Sequence, residues 1–308
     1  MSIRAILAVA IWGSSFVATR VALEAFPPTT LVALRLSLAA IALAVIQRTR
    51  RPPDRMSRFD ARLSLTLGVV LFSHLSLQSV GLRYTTAIRT GWIIGFVPAT
   101  TAFAVHVLGY ERIRAAGWMG MAIASFGVLV VSGAAPSDLR HARFGDLLQL
   151  SSCLTWTAYT ILGMGLVGRI GALRATTTPF AVGAALAWVA TALSDSTVGA
   201  VTPRTITAVV ILGLVCNAAA FVLWFQAVQS HGAARVGSTP YFEPFFTLAA
   251  AVAVLGEPVG AITTLGGVGV FAGVWLVGQG AVRSPGTRRT RRRSQQPVGP
   301  GRASDAAW

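Results

Sequence analysis

Residues 97–113 read VPATTAFAVHVLGYERI, and residues 243–259 read EPFFTLAAAVAVLGEPV. Both stretches place a proline 13 positions before a glutamate: Pro98 before Glu111, and Pro244 before Glu257. The same offset of 146 residues pairs four further positions: Gly120 with Gly266, Gly127 with Gly273, Val128 with Val274, and Val131 with Val277. Self-similarity at a fixed offset indicates that the chain is a duplicated unit.

The composition places most of this chain in lipid. Charged residues make up 12% and hydrophobic residues 54% of the 308 residues, and the mean hydropathy is +0.66, whereas a soluble domain carries about 25% charged residues. The formal net charge is +16, and all 26 basic residues are arginines that lie mostly between apolar runs or in the tail. This placement favours a membrane protein over a nucleic-acid binder.

Ten segments are long and apolar enough to cross roughly 30 Å of hydrocarbon, which takes about 20 residues per helix. The predicted fold class is therefore all-α, a polytopic membrane protein with ten transmembrane helices. Their predicted ranges are 4–23, 29–47, 63–81, 85–108, 115–133, 145–167, 174–193, 205–229, 233–255 and 261–279.

The arginines orient these helices, because Arg and Lys in short loops accumulate on the cytoplasmic side. With both termini inside, nineteen arginines lie inside and four outside, and Arg20, Arg35 and Arg89 lie within spans. Five helices per half make the second half enter the membrane in the opposite sense, so the repeat is inverted. We expect a multi-pass protein of the plasma (inner) membrane with both termini cytoplasmic.

The division of the chain follows from the two halves. We predict a first five-helix repeat over 1–133, a linker over 134–144, a second repeat over 145–280 and a tail over 281–308. The tail is rich in Arg, Pro, Ser and Gly and cannot bury a core, so disorder is expected. Its arginines favour contact with anionic lipid headgroups over nucleic acid.

Cysteine and histidine usage gives no sign of a cofactor. Cys153 and Cys216 fall inside apolar segments, which favours packing over a disulfide, and the four histidines lack metal-ligand spacing. The chain contains no lysine, so the nucleotide motif GxxxxGK[ST] cannot occur. We expect no cofactor and no metal, and a proton gradient or substrate exchange as the energy source.

The chain resembles the EamA-type branch of the drug/metabolite transporter superfamily over nearly all of residues 1–280. The resemblance rests on the order and spacing of WGSSFVATRVALEAFPPTTLVALRLSLAA, LRYTTA, GYERI, FGDLLQLSSCLTWTAY, YFEPFF and LGEPV. GYERI departs from the LGER that is usual in the family. The resemblance implies two inverted five-helix repeats, cytoplasmic termini and transport of small metabolites, commonly export of amino acids or related compounds.

Glu243 is the acidic residue predicted to lie deepest in a span, roughly 15 Å into the ninth helix. Pro240 and Pro244 flank it and, like Pro98 in the fourth helix, are expected to kink their helices. Freed carbonyls are tolerated where they meet a cavity, so this stretch is expected to line one. Glu243 is interpreted either as a proton or substrate-amine site or as a structural carboxylate paired with Arg35 or with a donor on another helix.

Arginines inside the spans have alternative interpretations. Arg35 either binds a substrate carboxylate, or forms a structural ion pair or extends toward the membrane interface. Arg20 and Arg89 lie nearer helix ends, so extension toward the interface is expected for both.

Helical spacing gathers further candidates onto shared faces. His74 with Gln78 either forms a hydrogen bond between helices or contacts substrate. The aromatic candidates either line one cavity, with the first and second repeats contributing matching tryptophans, or contact lipid. The remaining candidates are Trp12, Ser15, Trp92, Trp156, Tyr159, Asn217 and Tyr241, and the pairs Gly91 with Gly95 and Gly269 with Gly273 are expected to allow close helix packing.

The sequence is compatible with three functions. A secondary transporter would alternate access around a central cavity between inverted repeats, for a small-molecule substrate with protons as a candidate coupling ion. An intramembrane enzyme needs a catalytic constellation, and the sequence has no GxSxG elbow, no paired intramembrane aspartates and no metal cluster. A passive channel would need no protonatable group within the membrane. The substrate, the direction of transport and the oligomeric state are left open.

Overall fold

The computed structural model describes residues 2–49, 56–109, 111–133, 139–231, 236 and 239–283. Nine helices in this part of the chain are long and apolar enough to cross a membrane, and a shorter apolar segment, Thr239–Leu255, occupies the place of the predicted ninth span. The helices are α1 Ile3–Ala22, α2 Pro28–Arg48, α3 Arg58–Gly81, α4 Ala87–Ile94, α5 Val97–Val107, α6 Ala115–Gly133, α7 Leu139–Ile170, α8 Ala172–Ala192, α9 Pro203–Val210, α10 Ala220–His231, α11 Glu243–Ala250 and α12 Ala261–Gly280.

Two of the ten spans are broken. The predicted fourth helix is α4 followed by α5, and the chain turns between them at Gly95 and Phe96. The described part of the ninth changes from a 3₁₀ turn, Thr239–Phe242, to the α-helix α11 at Glu243. Pro98 and Pro244 occupy the second position of α5 and α11, where a missing N–H costs nothing and the fixed φ suits a new helix start.

The eighth span contains a feature that apolar periodicity does not reveal. Between α9 and α10, the π-helical segment Ile211–Ala219 widens the turn, and a second π segment, Ala251–Leu255, follows α11. Gly213 lies within the first segment, where an added Cβ would be 2.6 Å from Leu38 Cβ. The absence of a side chain at Gly213 therefore lets the π segment lie directly against α2.

The spans alternate in direction, so each span begins on the side of the bundle on which the previous span ends. We call the side that holds Ile3 and Gly280 the amino face, and the side that holds Ala22 and Ala261 the distal face. On the amino face, Arg169 Nε lies 2.6 Å from Asp60 Oδ1. On the distal face, Arg204 lies 3.8 Å from Glu24.

Glycines at the contact between α6 and α12 show how the repeats are related. A Cβ added to Gly120 would lie 2.5 Å from Gly273 O, and one added to Gly127 would lie 2.7 Å from Gly266 O. The repeat itself pairs Gly120 with Gly266 and Gly127 with Gly273, so the contacts cross between equivalent positions. A two-fold axis between antiparallel helices produces this reciprocal exchange, as an inverted repeat requires.

A short ribbon on the amino face joins the two halves. Strand β1, Glu111–Ile113, pairs antiparallel with β2, Ala281–Arg283. The prediction of disorder from residue 281 is therefore wrong for the first three residues of the tail, whose backbone groups find partners in β1. Residues 284–308 lie outside the described residues. Helix α7 begins at Leu139, inside the predicted linker.

The predictions for Arg89 and Arg20 are corrected by their contacts. Arg89 does not extend toward the interface: it is 3% exposed, forms an ion pair with Asp146 and donates to Ser132 O. Arg20 donates through Nη1 to the carbonyls of Leu82 and Thr85, so it binds the turn after α3. Both arginines find acceptors in the protein, and Arg89 keeps two buried nitrogens, Nε and Nη1, without a hydrogen-bond partner among the described residues.

Candidate functional site

A cavity lies where the two repeats meet. The centre of a water molecule can occupy about 40 Å³ within it, so the cavity has room for a few waters. Both broken spans contribute their breaks to its wall, since Ile94 and Val97 flank one break and Pro240 and Glu243 flank the other. The other lining residues are Trp12, Ser15, Phe16, Arg35, His74, Leu75, Gln78, Trp156, Asn217 and Phe221.

Aromatic rings form one side of the cavity. The Trp12 ring lies 5.1 Å from the Trp156 ring and 5.2 Å from the Phe221 ring, both edge to face. Trp12 Nε1 donates to Cys216 O at 3.0 Å, and this bond fixes the indole against the π segment. The structure thus brings together the two tryptophans, one from each repeat, at distances that stabilise aromatic pairs.

Arg35 is buried and lies against the π segment. It is 4% exposed, and its Nη2 donates to Asn217 Oδ1 at 2.8 Å. Within the described part of the chain Arg35 forms no ion pair, and its Nε has no hydrogen-bond partner. The structure therefore does not bring Arg35 into contact with Glu243, although both line the same cavity.

Glu243 is the first residue of α11 and is 8% exposed. Among the described residues none donates a hydrogen bond to its carboxylate, whereas its backbone carbonyl accepts from Thr247 Oγ1 at 3.1 Å. A Cβ added to Gly13 would lie 2.8 Å from Glu243 O, so the glycine allows α1 to approach the start of α11. Gly13 belongs to the WGSS stretch of α1, and helical periodicity alone does not indicate its contact with α11.

His74 lines the cavity in a defined tautomer. Its Nδ1 lies 3.0 Å from Ser152 O, and a carbonyl oxygen can only accept, so Nδ1 carries the proton. The neutral ring then has Nε2 as an acceptor. His74 thus bonds to a backbone carbonyl on α7, and the backbone carbonyl of Gln78, on the same helix as His74, accepts from Gln149 Nε2 at 3.0 Å. Substrate contact by His74 and Gln78 stays a prediction.

Three aromatic candidates lie outside the cavity lining. Trp92 packs against Phe245, and an added Cβ at Gly267 would lie 2.2 Å from its ring. Tyr159 stacks on Trp156 behind the cavity wall, and Tyr241 OH would lie 2.9 Å from a Cβ at Gly278. The sequence placed these residues within predicted spans, but the neighbouring helices decide what each ring contacts.

Phe221 and Asp146 are functional candidates that sequence reasoning missed. Phe221 lies within an apolar run, where nothing distinguishes it from packing residues. Asp146 is 3% exposed near the start of α7. It accepts from Thr85 Oγ1 at 2.6 Å and pairs with Arg89. The sequence does give one signal for Asp146, since it is an acidic residue beside an apolar run.

Two carboxylates from the second repeat hold the first turn of α4 at the distal face. Glu257 Oε1 and Oε2 accept from the N–H groups of Ala87 and Ile88, both at 2.9 Å. These groups have no partner within the helix, and a negative charge there is also favoured by the helix dipole. Together with the Asp146 contacts, these bonds fasten the two repeats to each other on the distal side of the cavity.

Comparisons with known proteins agree with this architecture. A "Probable terminal-alkyne amino-acid exporter" of Streptantibioticus cattleyicolor is 28% identical, with 96% of each chain covered. A "Probable amino-acid metabolite efflux pump" of Salmonella typhimurium is 25% identical, with 88% of this chain and 92% of that protein covered. A solved structure titled "Crystal structure of protein" superposes with a TM-score of 0.68 at 18% identity, covering 96% of this chain and 98% of its own, and shows the shared fold.

The sequence model of the EamA-like transporter family matches residues 2–133 and 143–279. The matches cover both halves of the chain, including every residue of the cavity wall. The ten-helix architecture and the crossed contacts of α6 and α12 fit such a duplicated transporter. The chain therefore belongs to the EamA-like transporter family.

Proposed function

We propose that this protein is a secondary active transporter that exports amino acids or related small metabolites by alternating access. The observation that carries the proposal is the cavity at the junction of the repeats, which is lined by a cationic and an acidic side chain and bordered by both broken spans. Secondary transporters with inverted repeats bind substrate near the middle of the bilayer, beside discontinuous helices.

The proposed substrate class draws on the relatives and on the cavity. Two relatives carry names that describe export of amino acids or their metabolites. The wall of Trp12, Trp156 and Phe221 suits an apolar side chain, and the Glu243 carboxylate suits an amine. An amphipathic metabolite with an amino group fits both features.

Alternating access is supported by the closure of the distal side. The bonds from Glu257 and Asp146 to the start of α4 join the repeats on the distal side. We infer that these bonds break when the distal side opens.

Glu243 is the proposed coupling group. Its carboxylate has no described hydrogen-bond donor, and burial disfavours a charge that lacks a partner. Exchange of a proton for a substrate amine at this carboxylate would link the proton gradient to export. The arginine distribution supports a plasma-membrane protein with the amino face in the cytoplasm.

The test uses the full chain purified into proteoliposomes. Uptake of each of the twenty common radiolabelled L-amino acids is measured with and without an imposed pH gradient. We expect uphill accumulation of at least one of them when the gradient is present. Glu243→Gln, which cannot exchange a proton, should lose the accumulation, whereas Glu24→Gln at the exposed distal surface should retain it.

Each alternative gives a different result. Flux that never exceeds equilibrium in any gradient would identify a passive channel. Chemical conversion of a compound without flux would identify an enzyme. Full pH-driven accumulation by a normally inserted Glu243→Gln variant would remove Glu243 from the coupling role.

A further inference from the structure

We propose that Arg35 and Asn217 form a carboxylate-binding subsite within the cavity. The inference rests on the proposed function, because it concerns the substrate of the same cavity. Its starting point is a cation with no counter-ion in the described part of the chain.

The burial of Arg35 leaves a charge without a counter-ion, and an anionic ligand would supply one. The side chain is 4% exposed, and a guanidinium stays charged inside proteins. A buried charge without a partner is strongly unfavourable. The other well-buried arginine, Arg89, has Asp146 as its partner, so this protein does pair a cation where structure alone requires one.

Asn217 is oriented by Arg35 and adds a second unused donor. The guanidinium can only donate, so the amide oxygen of Asn217 must face Nη2, at 2.8 Å. The amide nitrogen then points elsewhere, and both Asn217 Nδ2 and Arg35 Nε lack a hydrogen-bond partner among the described residues. Two adjacent, buried side chains therefore offer N–H groups to an acceptor that the described chain does not supply.

The backbone around this pair is closely packed, so the donors cannot easily turn away. Asn217 is 0% exposed and belongs to the π segment Ile211–Ala219, a type of segment that is frequent at functional sites. A Cβ added to Gly213 would lie 3.2 Å from Arg35 O, so the π segment lies directly on the arginine backbone. The position of the subsite is fixed by this contact.

The chemistry of the donors selects the ligand. A guanidinium matches the two oxygens of a carboxylate in a planar fork. Glu243 lines the same cavity, so its carboxylate would repel a dianion such as phosphate but accommodate a monoanion that carries an amine. A carboxylate on the substrate meets both conditions.

The experiment measures binding to the full chain in detergent, by calorimetry and by thermal stability. The probes are the twenty common L-amino acids, and for L-phenylalanine also its amide, which lacks the carboxylate, and 3-phenylpropionate, which lacks the amine. Sodium chloride and sodium acetate test simple anions. We expect the amide of a bound amino acid to bind about 10- to 100-fold more weakly, as loss of a charge-assisted hydrogen-bonded pair implies.

Asn217→Asp is the decisive variant, because it places a carboxylate beside the guanidinium with almost no change in shape. We expect the unliganded variant to be more stable than the wild type and to bind the amino acid about 10- to 100-fold more weakly. Arg35→Met should weaken binding similarly and should bind the acid and the amide equally. Arg204→Met, at the exposed distal surface, is the matched control and should bind as the wild type does.

Several results would overturn the subsite. They are equal affinity of the wild type for an amino acid and its amide, unchanged affinity of Asn217→Asp, no binding of any carboxylate probe, or full stabilisation by chloride alone. Proton-driven transport without carboxylate discrimination would reject the subsite and leave the proposed function intact. Arg35-dependent binding without any flux would support the subsite and reject the proposed transport function.

Discussion

A pair of alanine substitutions in one helix tests the packing of the two repeats. Gly273 and Gly269 both lie on α12 and face α6, four residues apart. A Cβ at Gly273 would lie 2.3 Å from Ala124 N and 2.5 Å from Gly120 O, whereas a Cβ at Gly269 would lie 3.4 Å from its nearest neighbour, Gly127 Cα. The first contact is with backbone atoms that cannot rotate away, and the second is an ordinary van der Waals contact.

The expected difference follows from these distances. Replacing glycine by alanine inside a helix is worth about 1 kcal/mol of propensity, and this gain is the same in both variants. Gly273→Ala must also move α12 about 1 Å away from α6, and overpacking of this kind costs about 1–3 kcal/mol. We expect Gly273→Ala to be less stable than Gly269→Ala by about 1–3 kcal/mol.

The difference in unfolding free energy is measured by reversible unfolding in mixed micelles. Tryptophan fluorescence follows the unfolding during a titration with a denaturing detergent. Gly127→Ala provides a symmetric check, because its Cβ would lie 2.5 Å from Val270 N, and it should resemble Gly273→Ala. Equal stability of Gly273→Ala and Gly269→Ala would refute the reasoning, because the close contact would then not hold the repeats together.

Three further perturbations have expected outcomes. Asp146→Ala leaves Arg89 buried without its partner and should cost about 3–5 kcal/mol in the same unfolding titration, while replacing both residues by leucine should cost less. Ser57→Ala removes the side chain that accepts from Asp60 N at the start of α3 and should cost about 1 kcal/mol. A cysteine at Glu24 should react with an impermeant maleimide added to intact cells, and a cysteine at Arg48 only after permeabilisation, since both native cysteines are buried; the opposite pattern would reverse the proposed orientation.

Glu243 and Arg35 could be predicted as cavity candidates because the sequence shows that each is a charged residue within an apolar run. A charged residue within an apolar run must reach a partner, water or a ligand, so its place in the run already marks it. The structure puts both residues on the cavity wall. Their roles in binding and coupling stay predictions.

Trp92, Tyr159 and Tyr241 show where this reasoning ends. Spacing placed Tyr159 on a helical face with Trp156, and Trp92 and Tyr241 were candidates as aromatic residues within predicted spans. Neither a face nor a span shows which neighbour a side chain contacts. Trp92 meets Gly267 on α12, and Tyr241 meets Gly278 on the same helix, so both pack between helices away from the cavity. Arg89 was misjudged for the same reason, because Asp146 lies on a different helix.

The sequence by itself determined the ten spans and the inverted repeat, because apolar length, a 146-residue offset and arginine placement are properties of the chain read in one dimension. Only the tertiary structure decided that Arg35 meets Asn217 rather than Glu243. It also decided that the eighth span contains a π segment and that Glu257 caps α4. These features depend on hydrogen-bond register and on contacts between residues as far apart as 182 positions, which no local pattern of hydrophobicity encodes.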